Sequence, residues 1–384
     1  MKILHLFANW KWTGPAEPAL NTAVVQSEDH DVLFVSGAGK DGQLSKIAPH
    51  VAERGVATVE GFILSKHARF QANREDVRRL VGLLREFEPD VVHTHLDNDH
   101  RIASLAVRET GHAKVVRTAY DVTGLSGNFR TRRVARRALD GLVVTTVHGR
   151  DGTLESYGGA EHSVSVAGRP RPMTLIETGV DLVRFDPSRY DRDAQRARLG
   201  LEPQHVALGI VARVQPHRRF DLLLDAVETV SKEFPEFRLV VAGRGTHIER
   251  LLLTPREERG LETPIVHAGY VEPTDYPALL TAFDACLFLV PGSDGTCRAL
   301  REQMAMGLAP VVTPRAPLPE IIDEGVAGIV VEENAESLAQ GMRRLLAEPS
   351  LRERLGQGAA AVARGRYDAR QQAEKVTAFY EQLL

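Results

Sequence analysis

The stretch Pro291-Gly292-Ser293-Asp294-Gly295-Thr296-Cys297-Arg298-Ala299-Leu300-Arg301-Glu302-Gln303-Met304-Ala305-Met306-Gly307 follows an apolar run at 285–291 and decides the fold. An apolar strand passes through two glycines into a helix, the unit from which parallel sheets are built. The same alternation continues on both sides. Apolar, β-rich runs recur at 207–213, 237–243, 264–270, 309–313 and 327–332. Earlier in the chain they lie at 2–8, 31–37, 91–95, 114–120, 141–146 and 173–178, with a weaker run at 57–64. Stripes at helical spacing separate them, such as Val77, Leu80, Val81, Leu84 and Phe87, or Leu223, Ala226, Val227 and Val230. Alternation of this kind with wholly apolar strands predicts parallel sheets covered on both faces.

Twelve or thirteen strands divide more readily into two sheets of about six than into one, because large twisted sheets split. The seam falls in Asp181–Gln204, which is polar, carries Pro187 and Pro203, and lacks a strand pattern. The expected fold is α/β, with two doubly wound, Rossmann-like domains facing each other across a cleft. Residues 1–182 would form the first domain and 183–365 the second. Ligands of such sheets bind outside the carboxyl ends of the strands, so the cleft is the expected active site.

Composition narrows the classes. The 384 residues carry a formal net charge of −3, with 26% charged and 43% hydrophobic residues and 2 cysteines. Apolar residues throughout the chain argue against disorder, and the slightly acidic balance argues against a nucleic-acid partner held by bulk charge. Cys286 and Cys297 are too few for a disulfide scaffold and fit a reducing compartment. The N-terminal apolar stretch is too short for a signal sequence, and no run approaches the ~20 residues of a membrane span. A cytoplasmic protein is expected.

The turn at 292–297 should leave backbone N–H groups of residues 296–299 aimed out of the strand end, where the positive end of the helix dipole makes an anion site suited to a diphosphate. Glu302 lies one turn further in, and its side chain leans back toward the helix start, where a carboxylate can accept two hydrogen bonds from a ribose diol. Asp294 sits in the loop, within reach of hydroxyls attached to the phosphate. The bland alternatives are a turn residue at 294 and a solvated helix position at 302. Arg213 and Arg218, in Val211-Ala212-Arg213-Val214-Gln215-Pro216-His217-Arg218, follow another strand end. Fixed guanidinium charge there stabilises a leaving diphosphate as its charge grows; otherwise the segment is a basic surface loop.

These segments resemble the retaining GT-B glycosyltransferases of family 4. Asp294 and Glu302 have the spacing of that family's acid–x7–Glu signature, ahead of Met304-Ala305-Met306-Gly307. Arg213 and Arg218 match its Gly-Arg-x-x-x-x-Lys-Gly loop, with Arg in place of Lys. Ile176-Glu177-Thr178-Gly179-Val180-Asp181 with Phe185, Pro89-Asp90-Val91-Val92-His93-Thr94-His95, Val241-Ala242-Gly243-Arg244-Gly245 and His267-Ala268-Gly269-Tyr270-Val271 match four further segments in the correct order. The resemblance implies that Glu302 holds the donor ribose, Asp294 the donor sugar, and Arg213 and Arg218 the diphosphate. Gly295, Thr296, Cys297 and Arg298 would supply backbone N–H groups, and Gly269 and Tyr270 would border the base. Gly14, in Thr13-Gly14-Pro15-Ala16-Glu17, would admit the phosphate closely. The partners implied are a nucleotide-diphosphate sugar and a glycan or lipid-linked envelope acceptor, with no metal or cofactor. Residues 366–384 would form a helix crossing back onto the first domain. The chain departs from the family in having Asp at 294 where Glu is usual, Thr13-Gly14 in place of Gly-Gly, and Tyr120 in Thr118-Ala119-Tyr120-Asp121 where a histidine is common. Tyr120 can donate a hydrogen bond to a sugar hydroxyl. Retention on one face, with the departing phosphate taking the acceptor proton, requires no side-chain base.

Other residues leave readings open. His93, His95, Asp97, Asp99 and His100 are dense enough to bind zinc, which would make a metal-dependent hydrolase; equally, a helix starting near residue 99 would use the aspartates in its capping region. A non-catalytic nucleotide-sugar-binding protein is a further alternative. Gly243-Arg244-Gly245 lacks the third glycine of a dinucleotide fingerprint, Ile248 standing in its place. Trp10 and Trp12 either stack on an acceptor sugar or pack their loop, and His95 either lines the acceptor side or is buried. Arg130, Arg132, Arg133, Arg136 and Arg137, beside Phe129, form either a solvated face or a contact with a phosphorylated acceptor or with anionic lipid at the inner membrane face. Cys297 has no positioned base and reads as a small loop residue.

Overall fold

The computed structural model describes residues 1–39, 44–292 and 295–384, so Asp294 lies outside the described residues. It divides into two units: Met1–Gly179 with Gly292–Thr296 and Asp368–Leu384, and Val180–Pro291 with Cys297–Tyr367. The breaks fall at Gly179/Val180 and Tyr367/Asp368; composition places a boundary after 182 and the family resemblance one after 365.

The first unit's sheet contains β1 (Lys2–Phe7), β2 (Asp31–Ser36), β3 (Val91–Thr94), β4 (Lys114–Ala119), β5 (Gly141–Val144), β6 (Gly159–Ala160), β7 (Ser163–Val166) and β8 (Arg169–Leu175). Their order is β2-β1-β3-β4-β5-β8-β7-β6. The first six positions are parallel, and β6–β7–β8 form an antiparallel edge. Side-chain alternation sorts the two faces. Ile3 and Phe7 pack with Leu20 of α1 (Ala16–Gln26) and with Val376, Phe379 and Tyr380 of the C-terminal helix Ala369–Glu381. Leu4 and Leu6 pack with Leu80 and Leu84 of α3 (Phe70–Phe87) and Ile102 of α4 (Asp97–Thr110), α2 being the short Ala48–Glu53. The remaining helices of this unit are α5 (Phe129–Arg137) and α6 (Val147–Tyr157). Gly141 clears space for the C-terminal helix: a Cβ there would stand 2.8 Å from the Phe379 ring.

The second unit holds an all-parallel sheet of β9 (Val206–Val211), β10 (Phe237–Ala242), β11 (Ile265–Gly269), β12 (Ala285–Phe288), β13 (Ala309–Val312) and β14 (Ile329–Val330), in the order β11-β10-β9-β12-β13-β14. Leu223, Val227 and Val230 face its core from the helix Phe220–Glu233. Two expectations differ. The weak run at 57–64 forms no strand, only a single bridge from Ala57 to Leu33. The edge hairpin of β6 and β7 is additional, formed from residues too short and polar to read as buried strands.

Candidate functional site

The strand β12, which precedes the quoted stretch, and that stretch's helix Arg298–Ala305 lie in the second unit, while Gly295 and Thr296 are grouped with the first. Gly295 has φ 61, and Cys297 caps the helix in the left-handed region at φ 42. The helical ladder begins with the N–H groups of Leu300 and Arg301 donating to the Cys297 carbonyl, at 3.0 and 3.3 Å. Thr296 and Cys297 are buried. Glu302 is 2% exposed, which excludes the solvated helix position, and Arg298 Nε stands 3.5 Å from its Oε1.

Arg218 ends a 3-10 turn, Pro216–Arg218, and its Nη1 donates to the Val290 carbonyl at 2.5 Å. That bond draws the guanidinium from the end of β9 to the segment leaving β12. Arg213 is exposed in the same loop. Gly243 and Gly245 have a packing role rather than a dinucleotide one. A Cβ at Gly243, whose φ is +150, would lie 2.0 Å from the Ala212 carbonyl oxygen, and one at Gly245 would lie 2.1 Å from that of Val214. The two glycines thus let the β10 exit lie against the loop carrying Arg213. Gly269, at φ 71, ends β11, and Tyr270 is 48% exposed with the Arg244 guanidinium 4.1 Å from its ring centroid.

In the first unit Gly14 forms the turn into α1. Trp12 meets the His50 ring at a tilt of 47°, with centroids 4.2 Å apart, and packs against the core, so packing accounts for this ring. Trp10 is half-buried with Lys11 Nζ 5.0 Å from its centroid.

The histidine–aspartate cluster comes apart in the structure. Asp99 caps α4, its carboxylate accepting from the N–H of Leu96 at 2.9 Å and of Ala8 at 2.9 Å. Burial pushes its carboxyl up to about 7. Asp97 is exposed and paired with Arg117 at 3.1 Å, and His100 Nε2 donates to the Ala138 carbonyl at 2.8 Å. His93 and His95 share a face of β3 and point inward, where His5, paired with His93 in the β1–β3 register, joins them. The ring nitrogens of His5, His93 and His95 lie within 4.8 Å of one another. His95 is 1% exposed, so it stands behind Tyr120 rather than on an acceptor surface.

Hydrogen bonds fix the direction of this network. Gln26 Nε2 donates to Thr377 at 3.0 Å, so its Oε1 accepts from His5 Nε2 at 2.8 Å. His5 Nδ1 then accepts from His95 Nε2 at 3.0 Å, and His95 Nδ1 accepts from the Tyr120 hydroxyl at 2.9 Å. His93 is held by Thr118 at 2.7 Å and by Tyr380 of the C-terminal helix. Burial lowers His5 to about 4 and His93 and His95 well below the usual imidazole value, so all three rings are neutral at pH 7. It also raises the Tyr120 phenol. Tyr120, 6% exposed, spends its proton on His95, so it is not the donor to a sugar hydroxyl expected from sequence. Sequence reasoning missed His5, Gln26 and Tyr380; the signal for His5 was its place in the apolar alternation of β1.

Two family models match in tandem: "Glycosyltransferase Family 4" over residues 22–208 and "Glycosyl transferases group 1" over residues 191–362. The chain belongs to this family and is a glycosyltransferase. Spore coat protein SA of Bacillus subtilis (strain 168) is 23% identical over 94% of this chain and 99% of its own length. The D-inositol 3-phosphate glycosyltransferase of Streptomyces bingchenggensis (strain BCW-1) is 30% identical over 58% of this chain, which spans only 49% of that relative's length. Among solved structures, Anabaena Alr3699/HepE in complex with UDP matches with a TM-score of 0.79 at 17% identity over 100% of both chains, and the fold is GT-B. No helix of the described residues is long and apolar enough to cross a membrane.

Proposed function

We propose that this glycosyltransferase acts with retention, moving a sugar from a nucleoside diphosphate to an acceptor hydroxyl. The observation that carries the reading is the buried Glu302 carboxylate in a helix that starts from a glycine turn outside a strand's carboxyl end. In this reading Glu302 accepts from the ribose diol, and Arg213 and Arg218 neutralise the diphosphate. Asp294 holds the hydroxyls of the donor sugar, the backbone N–H groups of Gly295–Arg298 help to hold the diphosphate, and Tyr270 borders the base. The anomeric C–O bond to phosphate breaks, the bond to the acceptor oxygen forms on the same face, and the acceptor proton passes to the departing phosphate. Guanidinium charge replaces a metal in stabilising that phosphate. The relatives' printed names, with UDP in one and D-inositol 3-phosphate in another, support a nucleotide donor and a hydroxyl acceptor. The acceptor in this reading is a glycan or lipid-linked envelope precursor. Helix α5, with Phe129 74% exposed, is the part that would meet an anionic inner membrane face bearing it.

The test is thermal stabilisation by UDP, GDP, ADP and CDP, each with and without EDTA. A ligand at 100 times its dissociation constant adds ~2.7 kcal/mol of apparent stability. One diphosphate stabilising the protein equally with EDTA is the expected result and names the base. No shift with any of the four overturns the donor reading. Once a substrate pair is found, NMR of the product's anomeric proton decides retention.

A further inference from the structure

The first unit carries a feature that donor chemistry leaves unused. An open groove of roughly 580 Å³ is bounded by the loop before α3, the first turns of α4, and the start of α5. All three helices begin at the carboxyl end of the sheet, where ligands of doubly wound folds bind. Lys66, Arg101 and Arg130 line the groove with Asn128 and Phe129. Asp97 is the carboxylate on its wall, and that charge is already held by Arg117. Arg117, 6% exposed, lies between Asp97 and the buried Asp99, whose Oδ1 is 3.6 Å from its Nη1, so the Asp97 charge is met from behind the wall. Among the described ion pairs none involves Lys66, Arg101 or Arg130.

The walls are braced. Asn98 Nδ2 donates to the Ser65 carbonyl at 2.8 Å, and Asn73 Nδ2 donates to Asn98 Oδ1 at 2.7 Å, which ties the Lys66 loop to α4. Asn128 Oδ1 accepts from the Thr131 N–H at 2.9 Å and Arg132 Nε donates to the Gly127 carbonyl at 2.6 Å, which fixes the start of α5. The backbone that carries the cationic side chains is thereby held in place before any ligand arrives.

We propose that this groove binds an anionic group of the acceptor, a phosphate ester on the polyol or sugar that receives the glycosyl unit. Arg101 and Arg130 supply guanidinium forks to the phosphate oxygens and Lys66 a third charge, while the Phe129 ring offers an apolar face to the carbon skeleton. The proposal deepens the glycosyltransferase reading and rests on it: the substrate class is an acidic acceptor rather than a neutral one.

Isothermal calorimetry on the full chain, in the presence of saturating nucleoside diphosphate, compares glycerol 3-phosphate with glycerol, and the parent with an Arg101→Ala/Arg130→Ala double variant. Glycerol 3-phosphate is expected to bind and glycerol not. The double variant should bind it about ten-fold more weakly or worse, as loss of charge-assisted hydrogen bonds requires. Equal affinity in parent and variant, or equal affinity for glycerol, overturns the proposal. A flotation arm uses vesicles rich in phosphatidylglycerol. Binding of both probes, each lost in the variant, assigns the phosphate to a lipid-borne acceptor, and binding of glycerol 3-phosphate alone assigns it to a soluble one. Capture of vesicles without glycerol 3-phosphate binding overturns the groove in favour of a membrane surface. Nucleoside diphosphate stabilisation is read separately in both proteins: it should be equal in the two, and its absence from the parent counts against the donor reading, not the groove.

Discussion

Lowering the pH from 7 to 5 should destabilise the first unit through its buried histidines. The His5 imidazole is held near 4 by burial against an ordinary value of 6.5. Its folded pKa is depressed, so its contribution is intact above pH 6.5 and is lost as pH falls from there toward 4. At pH 5 an unfolded His5 is almost fully protonated and a folded one is not, a difference of about 2 kcal/mol at 1.36 kcal/mol per pKa unit. His100, also lowered to about 4, adds a comparable loss, and His93 and His95 act in the same direction. Asp99 opposes them. Its folded pKa is raised to about 7, so it takes up a proton over the same interval and restores about 2 kcal/mol, cancelling roughly one histidine. The net loss remains. Both tryptophans, Trp10 and Trp12, lie in the first unit, so urea unfolding followed by tryptophan fluorescence reports on that unit alone. The midpoint at pH 5 should fall below that at pH 7. In His5→Asn the pH-dependent loss should shrink by about 2 kcal/mol. A midpoint unchanged or higher at pH 5, or the same loss in parent and variant, refutes the reasoning.

Glu302→Gln should weaken nucleotide-sugar binding by about 10- to 100-fold, because a charged acceptor of ribose hydrogen bonds becomes a neutral one; a dissociation constant matching the parent's removes Glu302 from the site. Gly243→Ala should cost about 3 kcal/mol or more, since its Cβ would sit 2.0 Å from a backbone carbonyl at a φ that alanine rarely adopts, and a melting point within error of the parent's would contradict the packing. Tyr380→Phe leaves His93 short of a buried partner and should cost about 1–3 kcal/mol, read by the same tryptophan signal with nucleotide binding unchanged.

The parallel strands were legible because each is buried on both faces and reads as an unbroken apolar run, as in Ala285-Cys286-Leu287-Phe288. The β6–β7 hairpin was not, since Ser163-Val164-Ser165-Val166 lies near a sheet edge, where half the side chains are not buried. In the site, Arg218 and Glu302 could be placed because strand–turn–helix geometry fixes them relative to their own backbone. The polarity of Tyr120 could not, because it is set by a chain of hydrogen bonds through His95 and His5 to Gln26, three separate segments. The histidine cluster misled for a related reason. Closeness in sequence suggested convergence, but Asp97 and Asp99 face the Arg117 guanidinium and His100 the Ala138 carbonyl, while His93 and His95 join His5 instead.

The C-terminal helix fills the face of the first sheet that Ile3, His5 and Phe7 present, and its Tyr380 completes the partners of His93. During synthesis this places the last stitch of the first core at the end of the chain. A nascent polypeptide that has emerged through Gly179 holds every strand of its sheet, yet leaves one flank bare and His93 without its phenol. The second unit, Val180 to Tyr367 in the main, is translated in that interval. The first unit is therefore begun before the second and finished after it, and a premature stop near residue 367 leaves an exposed apolar flank for quality control to recognise.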